Sequence, residues 1–215
     1  MTFLRSAAAA ALLCALAAPA TALTFTDRAA FEAAVTGTAD LAPAATGFAA
    51  SQAVGGVTFS VHTGATSLGF SESFSSLLTN ELAISGPENF IISFGGLVGG
   101  FGMDIHEPTS TVTLDGCNVT PCVDSSFEIS AFNGGTLVGS ATISPDDNAL
   151  DFIGIAFAQS FNEIRVTETV GTQDNELFGN FTIAEALIVS DVPVPAAAPL
   201  LAAALAGLGL LRRRG

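Results

Sequence analysis

The sequence predicts an all-β fold: a single β-sandwich with one short N-terminal helix, set between an apolar leader and an apolar tail. Three observations lead there. Apolar residues recur mostly at every second position in short runs, the period of a strand with one buried face. Glycine and asparagine punctuate those runs, and the chain of 215 residues holds 22 glycines. The run Phe152-Ile153-Gly154-Ile155-Ala156-Phe157 is apolar at both parities, as a central strand covered on two sides must be. Seventeen phenylalanines, with many valines and isoleucines, supply enough apolar area to offset the chain entropy lost on folding.

In chain order, Arg5 gives a basic start, residues 7–18 an apolar stretch, and Ala20-Thr21-Ala22 a small-x-small site before Leu23. Residues 1–22 therefore read as a signal peptide, cut by signal peptidase. Cys14 follows Leu13, where a lipid-attachment signal needs a small residue, so lipidation there is rejected. A helix is predicted over 27–35, capped by Thr26 or Asp27, with Phe31 and Val35 on one face and Gly37 closing it. Strands are predicted at 57–61, 82–84, 90–94 and 98–105, with Gly95-Gly96 and Gly99-Gly100 breaking the runs. Further strands follow at 111–114, 127–132, 136–143, 150–158, 164–169 and 178–189. Asn133-Gly134 supplies the positive backbone angles of a tight hairpin, which places Phe127, Ile129 and Ala131 on one face. Leu137 and either Val138 or Gly139 lie opposite them, depending on the turn type.

The domain between the two ends, residues 23–191, carries all 20 acidic side chains against two basic ones, Arg28 and Arg165, and the chain has no lysine. Such a surface repels a phosphate backbone, so nucleic acid is excluded as a partner. It keeps the protein soluble and attracts divalent cations as a diffuse atmosphere. Tryptophan and tyrosine are absent. Sugar-binding faces and protein-binding hot spots favour those residues, so only phenylalanine is left for such a role.

Cys117 and Cys122 are the only cysteines of this domain. An exported chain meets an oxidising compartment, so they read as a local disulfide at a hairpin tip. A metal site there lacks adjacent ligands, and a catalytic thiol lacks a histidine nearby in sequence. His62 and His106 lie at strand ends and read as surface residues; pairing of His106 with Asp104 or Glu107 as a general base is the competing reading. No metalloprotease, serine-hydrolase or phosphate-loop motif is present. Asp146, Asp147, Asn148 and Asp151 are candidate calcium ligands, with a plain turn as the bland alternative. Otherwise no cofactor is expected. The sequons at Asn118 and Asn180 are read as coincidental.

Residues 192–215 form a third unit: Val192-Pro193-Val194-Pro195-Ala196, an apolar run to Leu211, then Arg212, Arg213 and Arg214. As a helix the run reaches about 24 Å, barely enough for a hydrocarbon core of roughly 30 Å. The prolines, with Pro199, keep its start extended, and the arginines hold the terminus on the cytoplasmic side.

This tail resembles the sorting signal of PEP-CTERM proteins, in the variant where VPxPA replaces Pro-Glu-Pro. The resemblance implies processing by an exosortase, an integral-membrane cysteine protease or transpeptidase, in a Gram-negative bacterium. It also implies an inner-membrane-anchored precursor whose domain lies in the periplasm, then passes to the cell surface or to extracellular polymer. No acidic residue lies within the motif; Asp191 precedes it. A plain C-terminal membrane anchor is the alternative. The order of residues 94–105, 126–143, 151–157, 161–169 and a phenylalanine strand near Phe181 is similar to the jelly-roll ectodomains of the same family, which concerns architecture and not chemistry.

Two function classes stand at this point. One is a non-enzymatic surface or matrix protein that offers its tail to exosortase. The other is a secreted carbohydrate-binding or hydrolytic sandwich, calcium-dependent or not, with extracellular polysaccharide as partner. Small polar residues on the outer strand faces favour the first; grouped carboxylates or exposed phenylalanines favour the second.

Overall fold

A computed structural model describes residues 23–71, 78, 80–107, 125–146, 149–171 and 176–188. The elements are β1 (Leu23–Phe25), α1 (Arg28–Ala34), β2 (Val35–Thr36), β3 (Ala39–Asp40), β4 (Ser51–Val54), β5 (Val57–Val61) and β6 (Ser67–Ser71). They continue with β7 (Glu81–Ser85), β8 (Phe90–His106), β9 (Ser126–Asn133), β10 (Thr136–Ile143), β11 (Leu150–Val170), β12 (Leu177–Ala184) and β13 (Ala186–Leu187). The all-β reading holds, with α1 as the one helix among the described residues.

Two long antiparallel strands, β8 of 17 residues and β11 of 21, each run through both layers of a sandwich. The first half of β8 pairs with β5 and with the second half of β11, which pairs in turn with β9, and β9 pairs with β10. These strands, with β4, form the front layer. The second half of β8 pairs with the first half of β11 and with β12, and β1, β3, β7 and β6 extend this back layer. The turnover between layers lies at 95–97 and 158–159, which are exposed.

That corner corrects the expectation that Gly95-Gly96 and Gly99-Gly100 interrupt β8, and that 150–158 and 164–169 are separate strands. The inward side chains of β8 are Phe90, Ile92 and Phe94 before the corner and Phe101, Met103 and Ile105 after it. Their parity switches, as it must when one strand bends from one sheet to the facing one. In β11 the switch runs from Ile153, Ile155 and Phe157 to Ile164 and Val166. Glycine weakens a strand without ending it when both neighbours keep pairing.

Phenylalanines from both layers meet in the core. Phe59 of the front layer lies 5.0 Å from Phe181 and 5.2 Å from Phe70 of the back layer, while Phe178 of the back layer lies 4.9 Å from Phe90 and 5.5 Å from Phe127. A second, smaller cluster sits on the outer side of the back layer, where α1 places Phe31 and Val35 against Phe152, Ala156 and Ala184. The predicted double coverage of 152–157 is thus met by two different cores. Glycine makes room for the helix: a Cβ on Gly154 would stand 2.7 Å from the Phe31 ring, and one on Gly102 2.7 Å from Phe152.

The helix begins as expected, with the Asp27 side chain accepting from the Ala30 N–H at 2.7 Å. The hairpin is displaced by one residue. Asn133 and Thr136 pair, and Gly134 and Gly135 are the turn residues with φ of 56° and 83°. Leu137 faces Phe132, Gly139 faces Ala131, and Val138 is bulged. Phe127, Ile129 and Ala131 do share the buried face. Short strands β1, β3, β4 and β6 were not anticipated, and the predicted strand at 178–189 is split into β12 and β13 at Glu185. The strand predicted at 111–114 lies outside the described residues.

Candidate functional site

The sandwich has two ends. At the corner end lie the turnover of β8 and β11, the first strand, and the end of β12, since Leu23 pairs with Ala156 and Ala184 with Gly100. The opposite end collects the chain segments before β8, after β8, before β9, after β11 and before β12. Four of them bring an acid, and the segment before β9 brings Ser125. Glu88 and Glu176 are each 1% exposed and Glu107 is 2% exposed, far from the solvated position these residues usually take.

They are linked in a chain of hydrogen bonds. The Ser125 N–H donates to Glu107 Oε1 at 2.9 Å, and the buried Ser125 hydroxyl donates to Glu176 Oε1. The Glu176 N–H donates to Glu88 Oε1 at 3.2 Å, and the Glu88 N–H to Glu168 Oε2 at 3.1 Å. The Glu168 N–H donates to Asn89 Oδ1 at 2.8 Å, and Asn89 Nδ2 to the Thr63 carbonyl at 2.7 Å. Burial pushes Glu88 up to about 12 from an ordinary 4.5, aided by its hydrogen bond to the Glu176 carboxyl and the like charges of Glu176 and Glu168. Burial also raises Glu168, opposed by the Glu88 N–H. A depression of about 230 Å³, lined by Pro87, Glu168, Thr169, Val170 and Gly171, opens beside it.

Asp104 presents the opposite arrangement. Arg28 Nη2 reaches its Oδ1 at 2.8 Å and the Asn180 carbonyl at 2.8 Å, and Arg28 Nη1 donates to Thr182 Oγ1 at 2.6 Å. Asn180 Nδ2 donates to Asp104 Oδ2 at 2.7 Å, and Thr182 Oγ1 to Asp40 Oδ1 at 2.7 Å. The guanidinium also lies 4.6 Å from the Phe152 ring centroid. This network fastens α1 to β8 and β12. It also engages the Asn180 side-chain amide, the atom a glycan would need.

The outer face of the front layer is the broadest regular surface. Register sets Leu137, Phe132, Glu163, Ser93, Thr58 and Ala53 in one row, and Ser140, Ser130, Arg165, Ile91, Ser60 and Ser51 in the next. Half of these side chains are serine or threonine. Among them Arg165 lies 4.1 Å from the Phe132 ring centroid and bonds Glu163 Oε1 at 2.7 Å.

Of the calcium candidates, Asp146 and Asp151 meet in a turn, where the Asp146 N–H donates to Asp151 Oδ2 at 2.6 Å. Asp147 and Asn148 lie outside the described residues. Among the described residues no group of three His, Cys, Asp or Glu side chains is placed to hold a metal. His106 is buried, against the surface position expected of it, because it lies between Leu150 and Leu177 on the outer side of the back layer. Of the groups paired with it in the competing reading, Asp104 accepts from Arg28 and Glu107 Oε1 accepts from the Ser125 N–H. His62 is partly exposed, its Nε2 3.4 Å from Thr63 Oγ1. Cys117, Cys122, Ala20, Ala22, Val192 to Ala196 and Arg212 to Arg214 lie outside the described residues. No helix among the described residues is long and apolar enough to cross a membrane.

No family model matches this chain, and no curated protein does. Solved structures of carbohydrate-binding modules are similar in fold. An arginine-to-alanine mutant of a family 29 module aligns with a TM-score of 0.45 and 14% identity over 70% of this chain and 94% of that one. An aspartate-to-alanine mutant of the same module, complexed with mannohexaose, gives 0.42 and 14% over 79% and 94%. A family 11 module from Clostridium thermocellum, in complex with a mixed-linked tetrasaccharide, gives 0.39 and 13% over 71% and 98%.

Sequence reasoning missed Glu88, Glu107, Glu168 and Glu176 as a group. Glu88, Glu107 and Glu176 flank strands and Glu168 lies near the end of one, with no spacing that links them in sequence. Only the topology gathers them. For Arg28 a signal existed: with two cations in the whole domain, each has many carboxylates competing for it.

Proposed function

We propose that this is an exported, non-enzymatic surface or extracellular-matrix protein whose tail, residues 192–215, is presented to an exosortase. The supporting observation is where the described fold closes. Its last strand, β13, pairs with β2, and the Ile188 N–H bonds the Ala34 carbonyl at 2.8 Å. Every partner in this closure lies upstream of Val192. The last described pairing thus closes upstream of the motif, which supports the reading of Val192-Pro193-Val194-Pro195-Ala196 as the segment offered to the protease. The protease supplies the chemistry; this chain supplies a scissile segment, a short apolar stretch and a cytoplasmic arginine stop. Export also explains a domain with no lysine and an acidic, soluble surface. The small polar side chains of the front face support a passive role over catalysis.

Deleting residues 192–195 tests the reading. The domain stays folded by circular dichroism, while fractionation finds it retained in the inner membrane with its tail intact. Unchanged localisation and unchanged mature mass would refute sorting.

A second reading, binding of a neutral polysaccharide, is favoured by one observation: Arg165 stacked on Phe132 amid hydroxyl rows. It predicts retention on insoluble neutral glycan that Arg165→Ala abolishes. Equal retention of both forms, or none by either, removes it.

A further inference from the structure

The acid end contains a device that neither export nor tail processing uses. Glu88 and Glu176 are almost wholly removed from water and hydrogen-bonded to one another. Two carboxylates in that contact repel unless a proton lies between them, whereas a carboxyl and a carboxylate attract. The pair also bridges segments far apart in sequence. Glu88 precedes β8 and accepts from the backbone of Glu176, which precedes β12. Glu176 accepts from the Ser125 hydroxyl, and Ser125 in turn donates to Glu107 at the end of β8. Glu168 at the end of β11 holds the Glu88 N–H. Five strand-flanking segments therefore meet through two glutamates.

We propose that Glu88 keeps a proton in the folded chain and, through its contact with Glu176, acts as a pH-dependent latch closing the end of the sandwich opposite the corner.

The groups facing the pair set the direction of its response. Glu168 and Glu107 add negative charge from β11 and β8, and the Ser125 hydroxyl and the backbone amides are neutral. His62, directly after β5, donates its N–H to the Asn89 carbonyl and is partly exposed, and His106 precedes Glu107 on the other side of the back layer. The two arginines of the described residues bond Asp104 and Glu163. The folded chain retains a proton that the unfolded chain releases above its ordinary value of 4.5. The latch's contribution is therefore full below that value and declines as pH rises through neutrality. The depression lined by Pro87 and Glu168 opens next to the segment that carries Glu88.

The test is thermal unfolding of the full chain in neutral detergent between about pH 5 and pH 8, for wild type and Glu88→Gln. A glutamine keeps the acceptor for the Glu176 N–H and gives Glu176 a permanent donor without titrating. Wild type should lose roughly 5 °C or more over this range, and the variant about half of that or less, ending above wild type at the alkaline limit. Parallel slopes would overturn the latch, because repulsion among surface carboxylates is common to both proteins. Should the variant fail to fold, potentiometric titration of native against denatured wild type decides. About one extra proton held by the native form near pH 7 supports the latch, and none refutes it. A calcium-dependent, chelator-reversed rise in wild-type melting temperature at pH 8, lost in Glu88→Gln, would also overturn it by making the site a cation site.

Discussion

Asp104 and Glu88 are both nearly hidden from water, yet they are kept there in opposite ways. Asp104 lies on the outer side of the back layer and meets Arg28 and the Asn180 amide, so its charge is matched by donors aimed at it. Glu88 lies at the sandwich end and meets another acid. The difference teaches that burial of a carboxyl group does not by itself fix its chemistry. A cation beside it makes an ion pair that fastens a helix. A second carboxyl group makes a proton-binding site that registers pH.

The contrast breaks most sharply at Arg28. Arg28→Met keeps much of the apolar stem over Phe152 but leaves Asp104 without its cation, and should cost about 3 kcal/mol in urea unfolding near neutral pH. A loss below about 0.5 kcal/mol would mean that the ion pair does not hold α1. A smaller effect is expected at Gly154, in the floor beneath Phe31 on the same helix. Gly154→Ala puts a methyl group into the Phe31 and Phe152 rings and should cost about 2 kcal/mol, accompanied by loss of the helix amide protection that hydrogen exchange reads. The smallest change, and of opposite sign, belongs to the other carboxyl: Glu88→Gln should gain on the order of 1 kcal/mol at alkaline pH and nothing in acid. Stabilisation that persists undiminished at acid pH would assign the gain to packing and dissolve the comparison.

Much of the fold was legible in residue order. Strand periodicity gave the sandwich, Asp27 and Phe31 gave the helix with its cap and buried face, and the run 152–157 gave a strand covered twice. The corner was legible too, in the parity switch between Phe94 and Phe101 and between Phe157 and Ile164, but glycines at the bend obscured it. Short edge strands such as β4 and β6 have little alternation of their own and form because β5 and β7 offer them partners. The acid end was not legible. Glu88 and Glu176 are 88 positions apart, and Ser125 and Glu176 are 51 apart. Each acid sits in a stretch whose local pattern matches an ordinary solvated turn, and only strand pairing reveals that these turns converge. The tail is the reverse case, since its pattern is entirely local.

The central claim is that the sandwich is followed by a removable sorting segment. Intact mass measurement of the mature chain from its native cells tests this most directly. The account predicts a chain beginning at Leu23 that has lost Arg212, Arg213 and Arg214 together with the apolar run. A mature chain that still carries those three arginines would contradict it.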